Sequence, residues 1–158
     1  MVRQRRELFV LPSARLVLLD GAGLGDEHAE ELADYLRDNS QTELLHLAAN
    51  ELTDDGVLTL SSTLPTCAVR RLSLAGNNVQ DEGARALAAA LAYGYAPRHL
   101  DLSDNMLTDG GAIDLVRSAA AHTPSLVWLD LRANPLLTAE GKIEAADAAR
   151  EASFEMLV

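Results

Sequence analysis

The segment Ala68–Gly83, AVRRLSLAGNNVQDEG, decides the fold because the rest of the chain repeats its pattern. Leu72-x-Leu74 is typical of a short strand, Asn77 marks a corner, and the residues after Gln80 open a helix. Related segments recur at spacings of 27 to 29 residues, the first of them degenerate: Val17–Leu24, Leu45–Gly56, Leu100–Gly111 and Leu129–Leu137. Such a period predicts a solenoid, in which each strand and helix buries its apolar face against neighbouring units.

The repeat divides the chain into five units between two ends. The predicted units are 14–41, 42–69, 70–97, 98–125 and 126–152. Residues 1–13 are predicted to form an N-terminal cap, in which Leu8–Leu11 supplies an extra strand or an apolar lid. Residues 153–158 are predicted to be either a C-terminal cap or the point at which a longer protein is cut. Helices are expected at 28–37, at 84–92 and from 141 to about 152, and Pro65 is expected to end a helix.

Two polar columns run through the repeat. One asparagine per unit follows the strand, and its buried amide is expected to bond backbone groups of successive turns; this column is Asn50, Asn77, Asn105 and Asn134. Acidic residues stand where the helices begin, where they complement the helix dipole; these are Asp26, Glu27, Asp54, Asp55, Asp81, Glu82, Asp109 and Glu140. Part of the acidity of the chain therefore has a structural explanation.

The motif L-x-L-x-x-N-x-L, followed by an acidic residue and a glycine, resembles the leucine-rich repeat family, specifically its ribonuclease-inhibitor-like class. The resemblance covers residues 14 to about 152. It implies an α/β fold, a right-handed solenoid arc with a parallel sheet on the concave face and helices on the convex face. It also implies that the protein works mostly by recognising other proteins.

Strand periodicity predicts which residues face a partner, because the residues before, between and after the two leucines point away from the core. The candidates for protein binding are Leu16, Leu18, Leu44, His46, Arg71, Ser73, His99, Asp101, Trp128, Asp130 and Arg132. Trp128, Arg71 and Arg132 rank first, since Trp and Arg are enriched among residues that dominate interface energies. Two structural alternatives to partner binding stay open. In the first, Trp128 packs on the C-terminal cap. In the second, which is separate, Leu8–Leu11 covers the apolar end of the face.

Composition narrows the class of partner. The net charge of −11 argues against nucleic acid and an anionic membrane surface, and the excess left after the helix starts favours a neutral or basic protein segment. Cys67 is the sole cysteine, which excludes an internal disulfide and favours a reducing compartment. No run approaches the length of a transmembrane helix, and the apolar run near the N-terminus is too short for a signal peptide. The expected location is the cytoplasm, and the oligomeric state stays open.

Four patterns suggest chemistry, and each lacks a feature that the chemistry requires. The segment 21–25, GAGLG, lacks the third glycine of a dinucleotide loop, and an acidic residue stands in its place. Ser73, His99 and Asp101 lie on an open sheet without oxyanion donors, which argues against a catalytic triad. Asp101 and Asp130 supply too few oxygens for calcium, and the four histidines lack metal-ligand spacing. No cofactor or metal is predicted.

The sequence therefore predicts a non-enzymatic protein–protein interaction scaffold that binds a protein segment on its concave face. Two alternatives come from the resemblance. One is a GTPase-activating or other regulatory subunit resembling Ran GTPase-activating protein. The other is a cytoskeletal or axonemal structural component similar to the tropomodulin cap, which is an argument from fold alone.

Overall fold

A computed structural model describes residues 13–150 and 152–158. Within them, six strands form one parallel sheet in chain order, which is an α/β arrangement with a helix after each of the first five strands. The strands are β1 (Leu16–Leu18), β2 (Leu44–His46), β3 (Arg71–Ser73), β4 (His99–Asp101), β5 (Trp128–Asp130) and β6 (Glu155–Leu157). The helices are α1 (Ala29–Asp38), α2 (Asp54–Ser61), α3 (Asp81–Ala92), α4 (Asp109–His122) and α5 (Ala139–Ala149). Turns of 3-10 helix cover Asp26–His28 and Leu64–Thr66.

The register confirms that the leucine motif places equivalent residues side by side. The central residues of the strands pair in one continuous column: Val17, Leu45, Leu72, Leu100, Leu129 and Met156. The first five of these are almost fully buried, and the inward residues of the helices, such as Leu87 and Leu91, join the same core. Burying one such side chain contributes about 1.5–3 kcal/mol before conformational entropy is subtracted. The core therefore runs through the units without a boundary.

The asparagine column bonds neighbouring units as predicted. Asn77 donates from Nδ2 to the carbonyl of Leu47 in the preceding unit and to that of Leu74 in its own. Its Oδ1 accepts the N–H of Leu52 at 3.1 Å. Asn50, Asn105 and Asn134 repeat this arrangement. Each buried amide thus satisfies backbone groups where the chain leaves the sheet, which would otherwise be costly to bury.

The aspartates at the helix starts do more than complement a dipole. Asp81, the first residue of α3, accepts the backbone N–H of Thr108 at 2.9 Å and its hydroxyl at 2.5 Å. Thr108 is the residue immediately before α4, so the carboxylate of one unit fixes the start of the next helix. Equivalent bonds run from Thr53 to Asp26, from Gln80 to Asp54 and from Thr138 to Asp109.

The carboxylates also explain the glycines of the helix starts. A Cβ on Gly111 would lie 2.8 Å from the Cα of Asp81 and closer still to its carboxylate. Gly56, Gly83 and Gly141 face the aspartate of the preceding unit in the same way. The acidic residue and the glycine of the motif are therefore two halves of one contact between neighbouring units.

Some boundaries differ from the sequence-based expectation. The helix expected at 28–37 is Ala29–Asp38, and the last helix ends at Ala149 rather than near residue 152. Helix α2 ends at Ser61, and Pro65 lies in the 3-10 turn that follows. A sixth strand, β6, extends the sheet; it lies 27 residues after β5. The predicted N-terminal cap, including Leu8–Leu11, lies outside the described residues except for Ser13.

Candidate protein-binding face

We call the sheet face turned away from the leucine core the concave face, and its side chains form three rows across the strands. The first row is Leu16, Leu44, Arg71, His99, Trp128 and Glu155. The second row is Leu18, His46, Ser73, Asp101, Asp130 and Leu157. The residues that follow each strand, such as Asp20 and Arg132, make the third. Since adjacent strands lie about 4.8 Å apart, six strands give a face about 24 Å long.

The N-terminal end of this face is apolar and open. Leu16 and Leu18 are 60% and 62% exposed, and Leu44 beside them is half-buried. His46 closes this region, with Nδ1 3.5 Å from Oδ2 of Asp20. Two neighbouring leucines at this exposure are a potential contact surface for a partner.

The middle of the face combines cationic and aromatic side chains. Arg71 is exposed, whereas His99 and Trp128 are half-buried with ring centroids 6.3 Å apart and planes tilted by 49°. Burial lowers the pKa of His99, and the nearby guanidinium groups of Arg71 and Arg98 lower it further. Its imidazole is therefore neutral near pH 7, and the two arginines supply the charge of this region.

The acidic part of the face is less exposed than the sequence suggested. Asp130 is only 1% exposed because the guanidinium of Arg132 folds back over it, with Nη2 2.6 Å from Oδ2 and Nε 3.0 Å from Oδ1. This contact raises the pKa of Arg132. Ser73 is also buried, beside Asp101 on the next strand. The expectation that Asp130 and Ser73 face solvent is therefore wrong.

Asp101 keeps an exposed fraction and accepts neutral donors. Its Oδ1 accepts the backbone N–H of Ser103 at 3.0 Å and its hydroxyl at 2.7 Å, and Ser73 lies 3.5 Å from its Oδ2. Asp101 and Asp130 do lie opposite one another in adjacent strands. Both carboxylates already accept hydrogen bonds from neighbouring residues of the chain, which argues against acid–base chemistry at this pair.

The triad that the sequence allowed does not assemble. His99 lies in the first row and Ser73 in the second, and Nδ1 of His99 bonds to no residue of the described chain. Within residues 13–150 and 152–158, no three His, Cys, Asp or Glu side chains cluster as metal ligands do. The GAGLG segment holds the positive φ angles of Gly21 and Gly23 at the corner leaving β1.

Sequence reasoning missed three residues of this region. Glu155 and Leu157 extend the first and second rows because β6 continues the sheet. Arg98 precedes β4 and lies close enough to His99 to lower its pKa. The signal for the first two was the 27-residue spacing from Trp128 and Asp130, whereas the motif itself gave no signal for Arg98.

Comparisons with known proteins agree with this architecture. The sequence signature described as Leucine Rich repeat matches residues 67–88 and 98–116. Ribonuclease inhibitor of Sus scrofa is 36% identical over 104 residues, which is 65% of this chain and 23% of that protein. RAN GTPase-activating protein 2 of Arabidopsis thaliana is 27% identical over 108 residues, which is 67% of this chain and 20% of that protein. The chain thus spans less than a quarter of the length of these relatives.

A solved structure shares the fold. The chain titled Leiomodin-1 Actin-Binding Site 2 superposes with a TM-score of 0.73 at 14% identity, over 89% of this chain and 81% of that one. The repeat, the parallel sheet and these similarities define a leucine-rich repeat protein. The chain belongs to the leucine-rich repeat family, in its ribonuclease-inhibitor-like class. Proteins of this family are generally protein-interaction scaffolds. Among the residues described, no helix is long and apolar enough to cross a membrane.

Proposed function

We propose that this protein is a non-enzymatic scaffold that binds a protein segment on its concave face. The observation that carries the proposal is the first row, in which Arg71, His99 and Trp128 follow one another on a sheet whose first strand carries two exposed leucines. Arginine and tryptophan are the residue types that dominate many interfaces when a partner removes them from water. A face about 24 Å long suits one extended segment or one helix.

The proposed partner is a neutral or basic protein segment, and the proposed location is the cytoplasm. The net charge of −11 supports the first, because an acidic protein repels polyanions over long range. The lone Cys67, whose pKa burial raises, supports a reducing compartment. Neither nucleic acid nor a membrane surface is part of this proposal.

Affinity capture from the source cell tests the proposal when wild-type protein is compared with variants of each face. The concave variant is Arg71→Ala/Trp128→Ala, and the matched convex variant is Glu30→Ala/Arg85→Ala. We expect the concave variant to lose the wild-type partners while it stays folded, as a cooperative urea unfolding transition shows. If the convex variant loses those partners and the concave variant keeps them, the proposed face is wrong.

A second candidate function is a GTPase-activating or other regulatory subunit, which the similarity to RAN GTPase-activating protein 2 favours. Measuring GTP hydrolysis by small GTPases, with and without the protein, tests it directly. An unchanged hydrolysis rate rejects it.

A cytoskeletal or axonemal structural role is the remaining candidate. It is supported by likeness of fold to the leiomodin structure, which is titled as an actin-binding site. Co-sedimentation with filamentous actin tests an actin-linked role, and protein that stays in the supernatant rejects it.

A further inference from the structure

Two arginines beside the concave face are unpaired although the protein is strongly acidic. Six of the nine described arginines form ion pairs with carboxylates: Arg15, Arg37, Arg85, Arg117, Arg132 and Arg150. Arg70 donates to the carbonyl of Ala96. For Arg71 and Arg98, the described part of the chain contains neither an ion pair nor a side-chain hydrogen bond partner.

The two arginines lie close to the same histidine. Arg71 pairs with His99 in the sheet register, and Arg98 immediately precedes it. Both side chains are exposed, and both lower the pKa of this histidine. Trp128 continues the row on the other side of His99, in ring contact with it. Arg71 and the ring of Trp128 therefore lie on the same sheet face, on either side of His99, and Arg98 stands immediately before the strand between them.

No carboxylate of the described residues forms an ion pair with Arg71 or Arg98. Asp130 is covered by Arg132, and Asp101 accepts hydrogen bonds from Ser103. An exposed guanidinium group that has no acidic partner in its own chain attracts an acidic group of a binding partner. A carboxylate fits here, because guanidinium groups bind it with two parallel hydrogen bonds and are only weakly hydrated themselves.

We propose that the protein segment bound on the concave face places an acidic side chain against Arg71 and Arg98 and an apolar or aromatic side chain against Trp128. This inference rests on the proposed function and specifies the chemistry of the part of the bound segment that meets Arg71, Arg98 and Trp128. The whole segment remains neutral or basic when its other residues carry the balancing charge. A protein segment is favoured over nucleic acid because two arginines in a chain of net charge −11 attract a phosphate backbone weakly.

The test uses a phage-displayed library of random short peptides, selected on wild-type protein. Selected peptides are then synthesised and titrated against wild type, Arg71→Glu/Arg98→Glu, Trp128→Ala and a control, Arg37→Glu/Arg150→Glu. The control reverses the same number of charges on exposed arginines of the helical side of the fold. Urea unfolding of each variant verifies that it is folded, and an oligothymidylate is titrated in parallel.

We expect the selected peptides to contain Asp or Glu next to an apolar or aromatic residue. Charge reversal at Arg71 and Arg98 should weaken binding at least about tenfold, as loss of charged hydrogen bonds does, whereas the control should bind like wild type. This inference is overturned if the peptides bind in a Trp128-dependent way but are not acidic, or if the charge reversal leaves their affinity unchanged. Either result is still consistent with the proposed function. Peptides insensitive to every concave variant, or none selected at all, count against both. Arginine-dependent binding of oligothymidylate overturns the inference in favour of nucleic acid.

Discussion

Replacing Asn105 by alanine removes one member of the asparagine column and should destabilise the protein severely. Asn105 is 2% exposed, and its Oδ1 accepts the N–H of Val79 at 3.0 Å. Its Nδ2 donates to the carbonyls of Leu74 at 2.9 Å and Leu102 at 3.2 Å. Alanine leaves the buried N–H of Val79 without this partner, at about 1–3 kcal/mol. The carbonyls of Leu74 and Leu102 lose one donor each but keep the Nδ2 groups of Asn77 and Asn134.

Each lost bond to a carbonyl that keeps another donor adds about 0.5–1.5 kcal/mol, and entry of water offsets part of the total, so we expect Asn105→Ala to lose about 2–4 kcal/mol of unfolding free energy. That is a large fraction of the 5–15 kcal/mol typical of a folded domain. Asn105→Asp keeps an acceptor for Val79 but turns a second oxygen towards two carbonyls. We therefore expect its loss to be at least as large at neutral pH.

The assay is urea unfolding at pH 7, followed by far-ultraviolet circular dichroism and by the fluorescence of Trp128. The matched control is Asn78→Ala, the same substitution at the next residue, where the side chain is exposed. The control should change the unfolding free energy by no more than about 0.5 kcal/mol. A loss below about 1 kcal/mol for Asn105→Ala, or a loss equal to that of the control, would refute the view that the column holds neighbouring units together.

Three further predictions use the same assay. Gly111→Ala should lower the unfolding free energy by about 1–3 kcal/mol, because its Cβ would meet the backbone of the preceding unit. The control, Gly110→Ala, has ordinary contacts of 3.6 Å or more and should be neutral or slightly stabilising. Equal effects of the two substitutions would contradict the contact. Ala133→Gly should gain up to about 1 kcal/mol because φ is 56° there, while Ala89→Gly within α3 should lose a similar amount. Hydrogen bonds from the next helix start lower the pKa of Asp109, so its contribution is present above the unfolded-state pKa and is lost as pH falls through the folded-state pKa. Asp109→Asn should flatten the acid limb of the stability–pH curve, and an unchanged limb argues against the bond.

The repeat period determined most of what the sequence could predict. Equivalent leucines were expected to pair in register, and the asparagine amides were expected to bond successive turns, since a period near 28 residues brings the same residue types together in every unit. The partners of the aspartates were missed because Asp81 bonds to Thr108 of the next unit, a contact that no local pattern encodes.

The sequence predicted which way the side chains of the candidate face point, but not how exposed each of them is. Alternation along a strand states which way Asp130 points, yet it does not state that Arg132, two residues later, folds back over it. The sixth strand was missed because Met156 and Val158 stand where leucines were sought. Both errors arise where individual side chains depart from the repeat pattern.

The fold separates the residues that stabilise each unit from those that are able to recognise a partner. Leucines, asparagines and the aspartate–glycine contacts engage neighbouring units, so changing one disturbs the unit beside it. Side chains of the first row, such as Arg71 and Trp128, project from the same strands without taking part in those bonds. The row is therefore able to change its chemistry at little cost in stability, which is why the proposed binding site is sought among its unpaired charges.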